Sequence, residues 1–262
     1  MDHVIERVPG KGWLALLGGG EFSFGETEAA DLAWLRKAFP NVEVQLDAEG
    51  EPLAGTPSDA MDDAGAEPVP ESDAIPTVGF VPVAAASSEY GAHFAVYLDE
   101  YFDVGCETVP IYRARDARRG KNVERLAAHF AVYLGGGATD HLLDAIAGSP
   151  AYETLRARLH DGGVVAAIAA AAQSCGRVAR SVFGGQVVDG LALLPNAAIE
   201  PNFAANAPEI RRLQQMLRHP EVQVGLGLGA GAALLLGPSG EAEIVGDVWR
   251  LDGPDSTPRK LS

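Results

Sequence analysis

The sequence predicts an α/β protein, a three-layer α/β/α sandwich around a mainly parallel central sheet. Three observations predict it. Short apolar runs alternate with stretches of helical spacing over the first two thirds of the chain. Several of those runs stop at glycine clusters, as strands do where they turn toward a helix. Residues Asp161 to Ala172 read as a buried strand that passes straight into a helix through a tight turn. Regular alternation of this kind gives right-handed βαβ units and so parallel strands.

Each element has its own signal. Trp13 to Leu17 is a short apolar run ending at Gly18-Gly19-Gly20, which suits a central strand. Ala29 to Phe39 has helical spacing, with Arg36 and Lys37 near the end where cations suit the helix dipole. Val42 to Val44 fits a short strand. Thr77 to Val83 reads as a buried strand, followed by a helix carrying Tyr90, Phe94, Tyr97 and Tyr101. Glu107 to Tyr112 reads as a strand, Asn122 to Phe130 as a helix, and Ala131 to Leu134 as a strand that stops at Gly135-Gly136-Gly137. Asp140 to Ile146 begins another helix. Val164 to Ile168 is the next strand, and Ala169 to Cys175 an alanine-rich helix. Shorter strand-like pieces follow at Gln186–Val188, Ala198–Ile199, Val222–Leu228, Ala232–Leu236 and Glu243–Val248, with a helix from Pro208 to Leu217 among them. These pieces either extend the sheet or pair antiparallel.

The domain expectation is one α/β unit over residues 1–252, an acidic Pro-rich loop at about 46–75, and a loose tail over 253–262. The stretch from Asp47 to Asp73 holds nine acidic residues and no Lys or Arg, and Pro52, Pro57, Pro68 and Pro70 break any regular pattern. The whole chain of 262 residues carries a formal charge of −16. That balance excludes nucleic acid as an expected partner, because phosphate contacts need clustered Lys and Arg. No apolar run approaches the roughly 20 residues of a membrane span, and the first residues lack the basic and apolar regions of a signal peptide. Two cysteines imply no disulfide framework, so the expected location is cytoplasmic.

The strand-to-helix turn at Ala169 has the layout of a nucleophile turn without its chemistry. In α/β hydrolytic enzymes such a turn carries a Gly-x-Ser-x-Gly pattern. Here Ala169 stands at the serine position, and Ala167 and Ala171 stand at the glycine positions. A methyl group has no lone pair with which to attack a carbonyl.

Four stretches together resemble the aspartyl dipeptidase/cyanophycinase family of serine peptidases, from about Trp13 to Leu251. They are Phe80-Val81-Pro82-Val83-Ala84 with the helix of Tyr90, the run Tyr133 to Leu143, the turn at Ala169, and Gly190 to Leu234. The second is similar to a Gly-Gly-Gly-Asn-Thr-x-x-Leu-Leu element, with Ala138 at the Asn position. The third stands where the family has Gly-Thr-Ser-Ala-Gly-Ala. In the fourth, Glu200-Pro201-Asn202-Phe203 lies where the family has Asp-Pro-His-Phe, and Gly229-Ala230 where it has an Asp-Glu pair. The resemblance implies a class I glutamine amidotransferase-like (flavodoxin-like) fold. It also implies that the serine, histidine and acidic positions are Ala169, Asn202 and Ala230, so the expectation is a set of positions with no catalytic residue left.

Two readings of function follow. One is a non-catalytic homologue with a binding or assembly role, whose expected partners are a small peptide or carboxylate ligand and a second copy of the chain. The other is a serine-type hydrolase acting on small or aspartyl peptides with a displaced or differently placed catalytic set. Whether the chain is an enzyme is left open between them. The expected pocket draws on Gly136, Gly137 and Thr139 of the glycine turn, Ala170 after the nucleophile position, Ser87 and Ser88 after an early strand, and His141. Backbone amides near Gly136 and Ala170 would still serve as oxyanion donors, because they do not depend on side chains. Ala167 and Ala171 would oppose the strained turn. Ser174 and Cys175 read as buried small residues. None of the six histidines is paired at metal-ligand spacing, and neither glycine turn has a nucleotide-binding pattern, so no metal and no cofactor are expected.

Overall fold

The structure, a computed structural model, describes residues 4–45, 75–85 and 89–261. The acidic loop, apart from Ile75, and Ser87 and Ser88 lie outside the described residues. In chain order the first half comprises β1 (Trp13–Leu17), α1 (Glu28–Ala38), β2 (Thr77–Val81), α2 (Glu89–Phe102), β3 (Gly105–Thr108), α3 (Gly120–Ala128) and β4 (Ala131–Leu134). Then come α4 (Thr139–Ile146), α5 (Pro150–His160), β5 (Val164–Ile168) and α6 (Ala170–Ser174). The remainder is β6 (Val178–Arg180), β7 (Val187–Asp189), β8 (Ala197–Pro201), α7 (Ala207–Met216), β9 (Val224–Leu228), β10 (Ala233–Leu236), β11 (Ala242–Val245), β12 (Val248–Leu251) and β13 (Arg259–Lys260).

A seven-stranded sheet in the order β11-β10-β1-β5-β4-β2-β3 forms the centre. Its β1, β5, β4, β2 and β3 run parallel, and β10 and β11 add an antiparallel edge. The central strands are apolar and buried on both faces, as helix-covered parallel strands require. Along β1, Leu14 and Leu16 enter one core with Leu126 of α3, Leu155 and Leu159 of α5 and Ala171 of α6. Ala15 and Leu17 enter the other core with Trp34 and Leu35 of α1 and Phe94 and Leu98 of α2. The expected α/β architecture with helices on both faces is therefore present.

Apart from β10 and β11, the C-terminal strands do not extend that sheet. They build a second, six-stranded sheet in the order β13-β12-β9-β8-β6-β7. Three local differences from the sequence reading accompany it. The single run Glu243–Val248 is two strands in different sheets, because Gly246 takes a left-handed φ of 68° between them. The segment after Gly253 is tied down: Arg259 and Lys260 pair with β12, and Leu261 N–H donates to the Val248 carbonyl at 2.8 Å. Val42–Val44 has no ladder and forms no strand. Helix α5 and strand β6 have no counterpart among the sequence assignments. The helix had a readable start, since Pro150 occupies its first turn and the Ser149 side chain accepts from the Tyr152 amide.

Candidate functional site

Three neighbouring parallel strands, β1, β5 and β4, end side by side at Gly18–Gly20, Ala169 and Gly135–Gly137. Ligands of open α/β sheets bind at this carboxyl edge. Between β5 and α6, Ala169 holds φ 51° and ψ −114°, a sparsely populated conformation for any residue with a side chain. Ala167 and Ala171, expected to oppose such a turn, accommodate it; both are fully buried in the packing on either side. Ala169 itself is part-exposed.

The end of β1 gathers the three positions singled out in the sequence. Consecutive carbonyls each accept one backbone amide: Leu17 from Ala169 at 2.9 Å, Gly18 from Asn202 at 2.8 Å, and Gly19 from Gly231 at 2.8 Å. These tethers bring together the β5–α6 turn, the end of β8 in the second sheet, and the β9–β10 turn that carries Ala230. Asn202, also at positive φ (50°), is exposed. Glycine suits position 19, because its φ of 129° is one that residues with a side chain rarely adopt. Ala230 is exposed beside them.

The glycine turn after β4 forms the opposite wall. A Cβ on Gly136 would stand 3.5 Å from the Ala169 Cβ. Among the described residues, the backbone N–H groups of Gly136 and Ala170 have no hydrogen-bond acceptor, so both remain available to an incoming oxygen. Gly137 is exposed. Thr139 is buried, and its hydroxyl donates to Gln173 Oε1 at 3.0 Å. His141 is exposed, with its ring 5.9 Å from that of Phe183. The Ser174 hydroxyl donates to the Ala170 carbonyl at 2.8 Å, and the Cys175 thiol to the Ala171 carbonyl at 3.3 Å. Burial pushes that thiol up to about 12, which leaves it protonated and unreactive near neutral pH.

A polar chain under the turn has no place in the sequence reading. Gln173, one helical turn past Ala169, donates from Nε2 to Glu200 Oε2 at 3.3 Å. The buried Glu200 carboxylate also receives Arg212 Nε at 2.5 Å and Arg180 Nη2 at 3.5 Å. Two guanidinium groups against one carboxylate leave a local excess of positive charge. The Arg180 Nε is buried with no hydrogen-bond partner among the described residues. The available signals were the four-residue spacing from Ala169 to Gln173 and the two-residue spacing from Glu200 to Asn202 on one strand. Among the described residues there is also no cluster of three or more His, Cys, Asp or Glu placed to hold a metal ion. No helix among them is long and apolar enough to cross a membrane.

A parallel-sheet α/β protein with a strained strand-to-helix turn, flanked by free amides, has the frame of a serine hydrolase of this fold class. The chain belongs to peptidase family S51, whose model matches residues 70–242. Two solved structures share the fold. One is a peptidase from an acI-B1 Actinobacterium, 16% identical, with a TM-score of 0.69 and 98% of each chain covered. The other is a Listeria monocytogenes EGD-e protein that carries the name peptidase E, 13% identical, with a TM-score of 0.53, covering 96% of this chain and 100% of that one. No curated protein matches the chain.

Proposed function

We propose that this protein is a non-catalytic member of peptidase family S51 that binds a small peptide or a carboxylate through the cleft at the end of β1, β5 and β4. One observation carries the reading. The turn at Ala169 keeps its strained geometry and its free amides, while the residue at its apex has only a methyl group. The nearby hydroxyls and thiol of Thr139, Ser174 and Cys175 are turned to an amide oxygen and two backbone carbonyls, not to an imidazole or carboxylate. A nucleophile without a base does not attack an acyl group. The Gly136 and Ala170 amides suit a carbonyl or carboxylate oxygen. Both cysteines are free, which supports a reducing, cytoplasmic setting.

The test treats the purified protein with a fluorophosphonate probe and with aspartyl dipeptides. The expected outcome is no labelling and no hydrolysis, with binding of the intact dipeptides detected by calorimetry. Stoichiometric labelling would overturn the proposal.

A further inference from the structure

The N-terminal segment builds one wall of a crevice far from the Ala169 turn. Strand β1 begins at Trp13, and Leu14 pairs with Leu236 at the end of β10. This region is therefore at the amino end of β1, whereas the cleft is at its carboxyl end. The segment is tied down on one side. Asn196 Nδ2 donates to the Val4 carbonyl at 2.8 Å, Glu6 N–H donates to Asn196 Oδ1 at 2.9 Å, and Val8 N–H donates to the Leu193 carbonyl at 2.8 Å. On the other side Arg7 reaches the β10–β11 turn, where its Nε donates to the Gly237 carbonyl at 2.8 Å. The crevice between segment and turn has a volume of about 570 Å³. Both sheets contribute to its wall, the first through Leu236 and Ala242 and the second through Arg250. Ile5, Val8 and Pro238 complete an apolar lining. Pockets for small molecules have volumes of about 300–1,000 Å³, apolar walls and few polar groups.

Four charged side chains also line it, Glu6, Arg7, Glu241 and Arg250. The buried Arg250 has its charge met by Asp252, whose Oδ1 accepts from Nε at 2.7 Å. Glu241 is exposed, and its carboxylate closes the turn by accepting from Ser239 N–H at 2.7 Å. Glu6 is exposed. Arg7 differs from these. It is half-buried, and its hydrogen bonds all go to neutral carbonyls, those of Gly237, Val8 at 3.2 Å and Gly10 at 2.7 Å. Among the described residues it makes no salt bridge. Burial lowers its pKa by more than the charge of Glu241 raises it, as happens to a cation short of negative charge. Two of its five N–H donors remain, one on each terminal nitrogen.

We propose that this crevice binds a small organic carboxylate with an apolar body, its carboxylate on Arg7 and its body against Ile5, Val8 and Leu236. A guanidinium fork matches a carboxylate in both charge and shape. An inorganic anion would satisfy Arg7 and leave the apolar wall wet. An alcohol would cover the wall and leave the guanidinium without a counter-charge. The site is separate from the cleft and does not rest on the function proposed for it.

The test is calorimetry on the full chain with octanoate, 1-octanol and acetate. Octanoate is expected to bind more tightly than either of the others by at least about tenfold. Arg7→Met keeps an unbranched side chain without the charge. It is expected to weaken octanoate by at least about tenfold and to leave octanol unchanged. Because Arg7 also holds the turn, a second variant fills the crevice from the opposite wall. Ala242 is exposed, so Ala242→Phe leaves the core and Arg7 in place. It is expected to abolish octanoate binding with circular dichroism unchanged. No binding of octanoate would overturn the proposal, as would octanol or acetate binding equally well. Octanoate binding that survives Ala242→Phe would put the carboxylate elsewhere, the cleft included, and would overturn it too.

Discussion

At φ 51° and ψ −114° the methyl group of Ala169 crowds its own backbone. Such a conformation costs on the order of 1–3 kcal/mol for a residue with a Cβ. In a serine hydrolase that strain lifts the nucleophile out of the sheet edge; here there is no nucleophile to lift. The strain persists because its surroundings fix it. Ala169 N–H is held by the Leu17 carbonyl, and the Ala169 carbonyl accepts from Gln173 N–H at 2.9 Å. A glycine at this position removes the crowding but loses more chain entropy on folding, roughly 0.5–1 kcal/mol. The balance favours relief. Ala169→Gly is expected to raise stability by about 1 kcal/mol in denaturant unfolding, with an unchanged m-value; a loss of stability would show that the turn is unstrained.

Between elements, helices α1 and α2 meet over a buried carboxyl. Asp31 of α1 is fully buried, accepting from Trp34 Nε1 at 2.8 Å and from the Tyr97 hydroxyl of α2 at 3.1 Å. Burial pushes its pKa from 3.8 up to about 6, against the hydrogen bonds, which favour the charged form. The folded state therefore holds a proton that the unfolded chain releases earlier. The contribution to stability is fully present below about pH 3.8 and is lost as pH rises through about 6, a span worth about 3 kcal/mol. Asp31→Asn keeps the hydrogen-bonding shape without the charge. The variant is expected to lack this loss, so that its stability relative to wild type rises by about that amount between pH 4 and pH 7 in urea titrations. A constant difference across that range would show that Asp31 does not titrate there. At this scale the sequence was largely legible. The strands Trp13–Leu17 and Ala131–Leu134 were readable because central parallel strands are unbroken apolar runs ending in glycine. Helix α5 carries a Ser-Pro start signal at Ser149-Pro150. Strand β6 was not readable, because three residues carry no period, and its place is set by the partners β7 and β8.

Across the whole molecule, the cleft depends on contacts that no local pattern encodes. Ala169 follows a strand of the first sheet, Asn202 ends a strand of the second, and Ala230 lies in the turn from β9 of the second sheet to β10 of the first. What registers them is the row of carbonyls Leu17, Gly18 and Gly19, and in sequence those residues read only as the end of a strand. The residue types at 169, 202 and 230 were legible one at a time; their convergence is a property of the tertiary tethers. Those tethers are backbone hydrogen bonds, so they do not depend on the side chains that the three positions carry. Restoring the side chains should then restore a reactive arrangement without rebuilding the frame. The combined variant Ala169→Ser, Asn202→His, Ala230→Glu is expected to gain labelling by a fluorophosphonate probe. Ala169→Ser alone is expected to stay unlabelled, because a serine hydroxyl at the turn has no base to take its proton. The turn at 169 already has a nucleophile-turn backbone, so Ala169→Ser does not ask the chain to move. A folded triple variant that remains unlabelled would mean that the two sheets do not bring residues 169 and 202 to reacting distance.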